Sequence, residues 1–142
     1  MSITDHAEAL AKAVHAALRG DAGVQADLGA EPRLYDSAPE DPIFPYLTYG
    51  AMRSEDIGAD GTPLGLHQMT LHIWSRYSGR AEVLTLLSRV SNALRAEVFP
   101  AVGPVTVRSA TPIYSDVLRA ADGRTHHGLL RLSFVTETGE PT

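Results

Sequence analysis

The sequence has no cysteine among its 142 residues. This absence excludes disulfide bridges, thiolate zinc sites and cysteine nucleophiles, so any chemistry has to use other side chains. Long apolar runs are also missing, because no stretch approaches the roughly 20 apolar residues that a membrane-spanning helix needs. The first residues carry acids and a histidine where a secretory signal would have a basic and then an apolar segment. We therefore expect a cytoplasmic protein with no membrane partner.

Positive charge is scarce and scattered. The formal net charge is −5, and the basic residues, almost all of them arginines, stand singly instead of in runs. A dedicated nucleic-acid-binding protein would carry a dense basic stripe. Apolar residues make up 44% of the chain and charged residues 20%, close to globular averages. Composition and length together predict a single domain over residues 1–142 with a real core, ending in a polar tail at about 138–142.

The common catalytic motifs are absent as well. No serine lies in the G-x-S-x-G context of a strained nucleophile elbow. No glycine-rich loop has the spacing that cradles phosphates. The acid pairs Glu40–Asp41 and Glu55–Asp56 lie in polar, Gly- or Pro-rich surroundings that are typical of solvated loops. We predict no catalytic residue, no cofactor and no metal ligand from these patterns.

Apolar residues recur every three or four positions in two segments, which predicts two amphipathic helices. The first covers residues 3–19, with Ser2 or Thr4 as its cap. The second starts near Gly79 and lies across the predicted sheet. Between them, residues 21–29 favour a short second helix or a turn, because an aspartate begins this segment and a glycine ends it.

Four stretches have the composition of strands, and they group into two hairpins. "YLTYGAM" is rich in β-favouring residues and connects through a polar loop to "LHQMTLHIWSRY", which alternates two faces. The last third reads as two long strands joined at Asp122 and Gly123, a dipeptide that suits a tight hairpin turn. Pro112 in the first of these strands indicates an edge position, a bulge or a break. The predicted fold is α+β: an antiparallel sheet of two hairpins with an N-terminal helix and a central helix packed on one face.

Six histidines raise the question of a metal or proton-transfer site. His126 and His127 are adjacent, so on an unbroken strand they point to opposite faces and cannot share one metal ion. The same parity separates His67 from His72. Cross-strand combinations, such as His72 with His126, stay open because one sequence does not reveal the pairing register.

The densest aromatic and basic group surrounds the end of the second predicted strand, "LHQMTLHIWSRY". Trp74 and Tyr77 lie beside Arg76 and Arg80. Two interpretations stay open: this group forms a binding face, or Trp74 packs beneath the helix that follows.

With these segments laid out, the chain resembles the small tail-completion proteins, or tail terminators, of long-tailed bacteriophages and phage-like gene transfer agents. The resemblance lies in "RLYDSAP", "FPYLTYG", "LHQMTLHIWSRYSGRAEVLTLLSRVSNAL" and "DGRTHHGLLRLSFVTE", and with the leading helix it spans about residues 4–137. The last two segments are the most specific, since one joins a His-Ile-Trp-Ser strand to a Gly-Arg-Ala-Glu helix start and the other joins an Asp-Gly-Arg turn to a His-Gly-Leu strand.

The resemblance implies a structural virion protein and no catalysis. Such proteins form a hexameric ring at the head-proximal end of the tail tube, end tube polymerisation and join the tail to the neck or head. The implied partners are further copies of this chain, the major tail tube protein and a neck or head-completion protein, with DNA passing through the lumen without sequence-specific binding. The implied location is the tail–neck junction of a particle assembled in the bacterial cytoplasm.

Polarity and expected exposure point to two candidate assembly surfaces, the loop at residues 54–64 and the hairpin tip at residues 118–125. The candidate interface residues are Ser54, Glu55, Asp56, Asp60, Arg119, Asp122, Arg124, His126 and His127. Three alternatives remain: a head-side stopper or connector, a metal-dependent enzyme that uses cross-strand histidines, and a small-ligand or regulatory α+β domain.

Overall fold

A computed structural model describes residues 2–58, 61, 64–99 and 105–138 of the chain. Three parts of the prediction lie outside these residues: Asp60, part of the loop at residues 54–64, and the polar tail beyond residue 138. The elements in chain order are α1 (Ile3–Gly20), α2 (Ala22–Leu28), β1 (Leu34–Tyr35), β2 (Tyr46–Asp56), β3 (Leu64–Ser75), α3 (Ala81–Ala93), a 3-10 turn (Ala96–Val98), β4 (Val105–Arg119) and β5 (His126–Thr138).

Side-chain caps fix the ends of the first two helices. Ser2 and Asp5 form a capping box at the start of α1: the Ser2 hydroxyl accepts from the backbone N–H of Asp5, and the Asp5 carboxylate accepts from that of Ser2. Asp21 ends α1 and also begins α2, where its carboxylate accepts a 3.0 Å hydrogen bond from the backbone N–H of Val24. The predicted roles of Ser2 and Asp21 are therefore confirmed.

The five strands form one sheet in the order β1-β2-β3-β5-β4. The two predicted hairpins are β2–β3 and β4–β5, and their inner strands β3 and β5 pair antiparallel along their whole length. The short β1 pairs parallel with β2, only opposite Leu47 and Thr48. Strand β4 forms the other edge, and its register shifts between Pro112 and Tyr114. The proline thus lies at an edge bulge, where the missing N–H is tolerated.

Alternation along the strands separates a covered face of the sheet from an open one. All three helices pack on the covered face, as the α+β prediction required. The core there consists of aliphatic residues of the helices and the alternate residues of β3 and β5; the buried strand residues are Leu47, Met69, Leu71, Ile73, Leu130, Leu132 and Phe134. Burial of each large apolar side chain contributes roughly 1.5–3 kcal/mol to folding. The core therefore fixes the two hairpins, and none of the described helices covers the opposite face.

Gly128 brings α3 close to the sheet. A Cβ atom at this position would lie 2.6 Å from Cγ2 of Val83 and 3.4 Å from both Cδ atoms of Leu87. No side chain larger than hydrogen fits this approach unless the helix or the Val83 side chain moves. The "HHGLL" run therefore needs its glycine for packing, since the residue lies inside β5 and not in a turn.

Candidate assembly surfaces

The open face of the sheet carries an aromatic cluster centred on Trp74 and His127. The two rings stack with centroids 4.0 Å apart and planes 7° apart. The β3–β5 register creates this pair, because Trp74 lies directly opposite His127. The Nε1 atom of Trp74 also donates a 3.0 Å hydrogen bond to Oγ1 of Thr48 on β2. Trp74 lies on the face away from α3, so the interpretation that it packs beneath that helix is wrong.

His72 and His127 form a close cross-strand histidine pair. The Nδ1 atom of His72 lies 2.7 Å from Nε2 of His127. The combination of His72 with His126 is wrong, because the register places His126 opposite Ser75 on the covered face. Burial lowers the pKa of both His72 and His127, and the charge of His72 lowers that of His127 further against the opposing effect of Asp116. Two neutral rings suit this contact, with one nitrogen donating and the other accepting.

Basic side chains border the same aromatic cluster. The Arg76 guanidinium lies 4.1 Å from the ring centroid of Phe44, and Phe44 meets Tyr46 edge-on at 5.0 Å. Tyr46 in turn stacks on Trp74 at 6.2 Å. Arg80 does not join this cluster, because it occupies the N-cap of α3. The open face therefore has an amphipathic surface of a kind that is common at protein–protein interfaces.

A second histidine network lies buried on the covered face. Oγ1 of Thr136 lies 2.9 Å from Nδ1 of His6 and 2.8 Å from Nε2 of His67. The Nδ1 atom of His67 continues the chain to Oγ of Ser54 at 2.7 Å. Burial, then the charge of His6, lowers the pKa of His67 to about 4. These hydrogen bonds connect α1 to β2, β3 and β5. The network therefore stabilises the packing of these elements, and its geometry is not that of a proton-transfer site.

No group of three or more histidine, aspartate or glutamate side chains in the described part of the chain could hold a metal ion. His6 and His67 share only Thr136, and His72 and His127 bind each other. The metal-dependent alternative therefore gains no support from these residues.

The hairpin tip between β4 and β5 is held by Asp122. Its carboxylate accepts hydrogen bonds from the backbone N–H groups of Arg124 and Thr125, both at 2.9 Å, and from the Thr125 hydroxyl at 2.6 Å. These bonds lower the pKa of Asp122 to about 2. Gly123 has φ = 76°, so the predicted turn is confirmed. Asp122 therefore stabilises the hairpin turn independently of any contact with a partner.

The predicted interface residues fall into two groups at opposite ends of the sheet. Glu55 and Asp56 are exposed at the end of β2, while Ser54 is engaged by His67. Arg119 and Arg124 are exposed at the other end. The expected exposure is wrong for His126, which is 6% exposed on the covered face. His127 is half-buried in the aromatic cluster, and the role of all these residues in assembly stays a prediction.

Two cavities open at the surface of the described residues. The larger, about 740 Å³, lies between α1 and β2, and His15 bonds Tyr49 across it with 2.8 Å between Nδ1 and the phenol oxygen. Burial, then Asp36, raises the pKa of Tyr49. The smaller, about 340 Å³, lies where α3 begins beside the end of β4; its lining is Gly79, Arg80, Val117, Leu118, Arg119 and His126.

Sequence reasoning placed Arg80 in the aromatic group and missed its place in this smaller cavity. The available signal was an arginine directly before a helix, where serine, threonine, aspartate or asparagine is usual. The described helices include none long and apolar enough to cross a membrane.

Comparison with known proteins agrees with the geometry. The model of the family described as "Tail completion protein gp17" matches residues 12–137. A chain in the structure titled "Virion of native gene transfer agent (GTA) particle" has the same fold, with a TM-score of 0.77 and 21% identity over 94% of this chain and 97% of that one. The gp17 protein of bacteriophage SPP1 aligns with a TM-score of 0.57 and 23% identity over 94% of this chain and 91% of that one. No curated protein matches the sequence.

Proposed function

The chain belongs to the tail completion protein gp17 family, and from this membership we propose that it is a tail terminator. In this role six copies form a ring at the head-proximal end of the tail tube. The ring ends tube polymerisation and provides the surface that joins the tail to the neck or head. The observation that carries the proposal is the family match, since it extends over both hairpins and the second half of α1.

The arrangement of the sheet supports an assembly role. A ring needs a heterologous interface, in which two different patches of one subunit meet the complementary patches of its neighbours. Strand β4 is a 15-residue edge, and β2 has a strand partner on its outer side only at Leu47 and Thr48 among the described residues. Such edges offer unpaired backbone groups to another chain. These two edges support a role in which the subunit contacts other chains of the particle.

The polar residues that first suggested chemistry support the same role. In the described part of the chain the close histidine contacts pair with each other or with hydroxyl groups of Ser54, Tyr49 and Thr136. Asp122 holds a turn. These side chains serve the fold, which agrees with a structural role.

The decisive experiment is electron microscopy of particles from a producing strain in which this gene is deleted, beside the same strain complemented in trans. A terminator predicts DNA-filled heads without tails, together with tubes that are overgrown or irregular in length. A head-side stopper predicts a different pattern, because tails of normal length would be completed but would not join. Complete particles with normal tails would overturn both assignments.

Location provides a second, independent measurement. Gold-labelled antibodies against the purified chain should mark the head-proximal end of the tail in complemented particles. Addition of the purified protein to growing tubes from the deletion strain should stop their elongation. Label along the whole tube, or elongation that continues unchanged, would contradict the terminator role.

A further inference from the structure

The smaller cavity has the features of an oxyanion site. It lies at the N-terminus of the 13-residue helix α3, whose N-cap Arg80 makes no side-chain capping bond. The first N–H groups of a helix carry partial positive charge, and an uncapped start leaves them available. Glu82 in the first turn of α3 does not serve as the anion of this site, because its carboxylate accepts a hydrogen bond from the hydroxyl of Ser75.

Two arginines and a histidine line the same cavity. Arg80 and Arg119 are exposed, and neither forms an ion pair or a side-chain hydrogen bond with another described residue. His126 also lines the cavity, is 6% exposed, and its buried Nδ1 atom has no hydrogen-bond partner. A buried polar atom without a partner is costly and is uncommon unless a ligand or water meets the group. The helix start and the two guanidinium groups favour an anion, and the His126 imidazole can donate a hydrogen bond to it through Nδ1.

The size of the cavity limits the choice of anion. About 340 Å³ admits one or two carboxylate side chains and is far too small for a nucleic-acid duplex. Two guanidinium groups bind planar carboxylates well, because each can donate two parallel hydrogen bonds. Acidic side chains of a protein partner therefore fit the site.

The same chain carries a matching acidic surface. Glu55 and Asp56 are exposed at the far end of β2, and neither forms an ion pair with another described residue. The strand registers place them diagonally opposite the cavity: β2 is next to one edge of the sheet and β4 is the other edge, and Glu55 and Arg119 lie at opposite ends. Complementary patches on opposite corners are what a heterologous, closed assembly requires. Each copy carries a net charge of −5, so the contact is favourable only when the basic patch of one copy faces the acidic patch of the next.

We propose that the cavity formed by Arg80, Arg119 and His126 receives the carboxylate of Glu55 from a second copy of the chain. Asp56 points to the other face of β2 and accepts a hydrogen bond from the backbone N–H of Gly58, so it adds negative charge beside the contact without entering the cavity. The contact joins neighbouring subunits of the ring and therefore rests on the proposed terminator function. It also explains why the two predicted interface segments have opposite charge.

Charge reversal tests the contact in the complemented deletion strain. Two variants are needed: Arg80→Glu with Arg119→Glu, and Glu55→Arg with Asp56→Arg. Each places like charges at every subunit contact, so the yield of tailed particles counted by electron microscopy should fall at least about tenfold. All four positions are exposed, and circular dichroism and thermal melting should show that both variants fold. Arg124→Glu is the matched control, because this exposed arginine lies on the same hairpin and does not line the cavity.

Rescue identifies the occupant. A chain with all four reversals restores opposite charges at each contact, and so does co-expression of the two double variants, which can alternate around a ring of six. We expect both to recover most of the particle yield. If the double variants fail and neither combination rescues them, the cavity serves a different partner and the inference is overturned. It is equally overturned if the double variants assemble normally, or if Arg124→Glu is as harmful as they are. Failure of the terminator function is separate, since it would appear in the deletion strain itself.

Discussion

Oγ1 of Thr136 on β5 lies 2.8 Å from Nε2 of His67 on β3, inside the face that the helices cover. The same oxygen meets Nδ1 of His6 from α1 at 2.9 Å. One hydroxyl can donate one hydrogen bond and accept others, so it pairs with one nitrogen of each of two buried imidazoles at once. The contact between Thr136 and His67 therefore couples the docking of α1 to the pairing of the two central strands.

The free energy of unfolding should decrease as the pH is lowered, because His67 is buried in its neutral form. Its pKa is about 4 in the folded chain and 6.5 in the unfolded chain. The folded-state pKa is the lower one, so the stabilisation is fully present above pH 6.5 and is lost as the pH falls from 6.5 towards 4. The loss is at most about 1.4 kcal/mol per pH unit for this residue. His6, whose pKa is lowered by burial and partly restored by Asp56, acts in the same direction.

Urea unfolding at pH 7, 6, 5 and 4 measures this effect, with His67→Gln as the comparison. The difference in unfolding free energy between wild type and variant should shrink as the pH falls through this window. A difference that is constant from pH 7 to 4 would show that His67 does not titrate as its burial requires.

Removal of the shared hydroxyl should cost more than its size suggests. Thr136→Val keeps the shape of the side chain but leaves a nitrogen of His6 and a nitrogen of His67 unpaired in the core. We expect a loss of about 1–3 kcal/mol in unfolding free energy, measured by chemical denaturation. Thr111→Val is the matched control on the exposed edge strand β4, where the change should be small. Equal effects of the two substitutions would contradict the role of the network.

Substitution of Gly128 should destabilise the protein as long as the Val83 side chain faces this position. Gly128→Ala places a methyl group where Cγ2 of Val83 lies 2.6 Å away, so α3 must shift or the side chain must give. We expect destabilisation of about 1–3 kcal/mol by thermal or urea unfolding. In the Val83→Ala background the same substitution should cost clearly less, which a double-mutant cycle detects as coupling. Gly20→Ala is the control, because nothing lies within 4 Å of a Cβ there. Additive effects of the two core substitutions would refute the close approach.

Local patterns were sufficient to predict most of the fold. The alternation of Met69, Leu71 and Ile73 with polar and aromatic neighbours fixed the two faces of β3, and it holds in the structure. Asp122 and Gly123 predicted their turn because the required backbone is local. Pro112 likewise indicated an edge or bulge from its missing N–H alone. These features depend on a few consecutive residues, which a sequence displays directly.

Features that depend on register were beyond the sequence. The partner of His72 is His127 and not His126, because one residue of register decides which face a cross-strand pair shares. Strand β3 carries bulky side chains on both faces around Trp74. Its pattern therefore did not reveal that α3 covers the face opposite to this tryptophan. The contact of His6 with Thr136 joins residues 130 positions apart and leaves no local signal.

Trp74 should report the protonation of His127, since the two rings stack at 4.0 Å and the chain has no other tryptophan. A protonated imidazole quenches indole fluorescence on contact, so emission should fall as the pH is lowered. The midpoint should lie below 6.5, because burial and the charge of His72 lower the pKa of His127. Steady-state fluorescence between pH 8 and pH 4.5 measures it, with circular dichroism to confirm that the chain stays folded. His127→Gln should abolish the titration, and His72→Gln should move the midpoint towards 6.5. An unchanged titration in His127→Gln would mean that a different group quenches the tryptophan and that the stacked pair is not formed in solution.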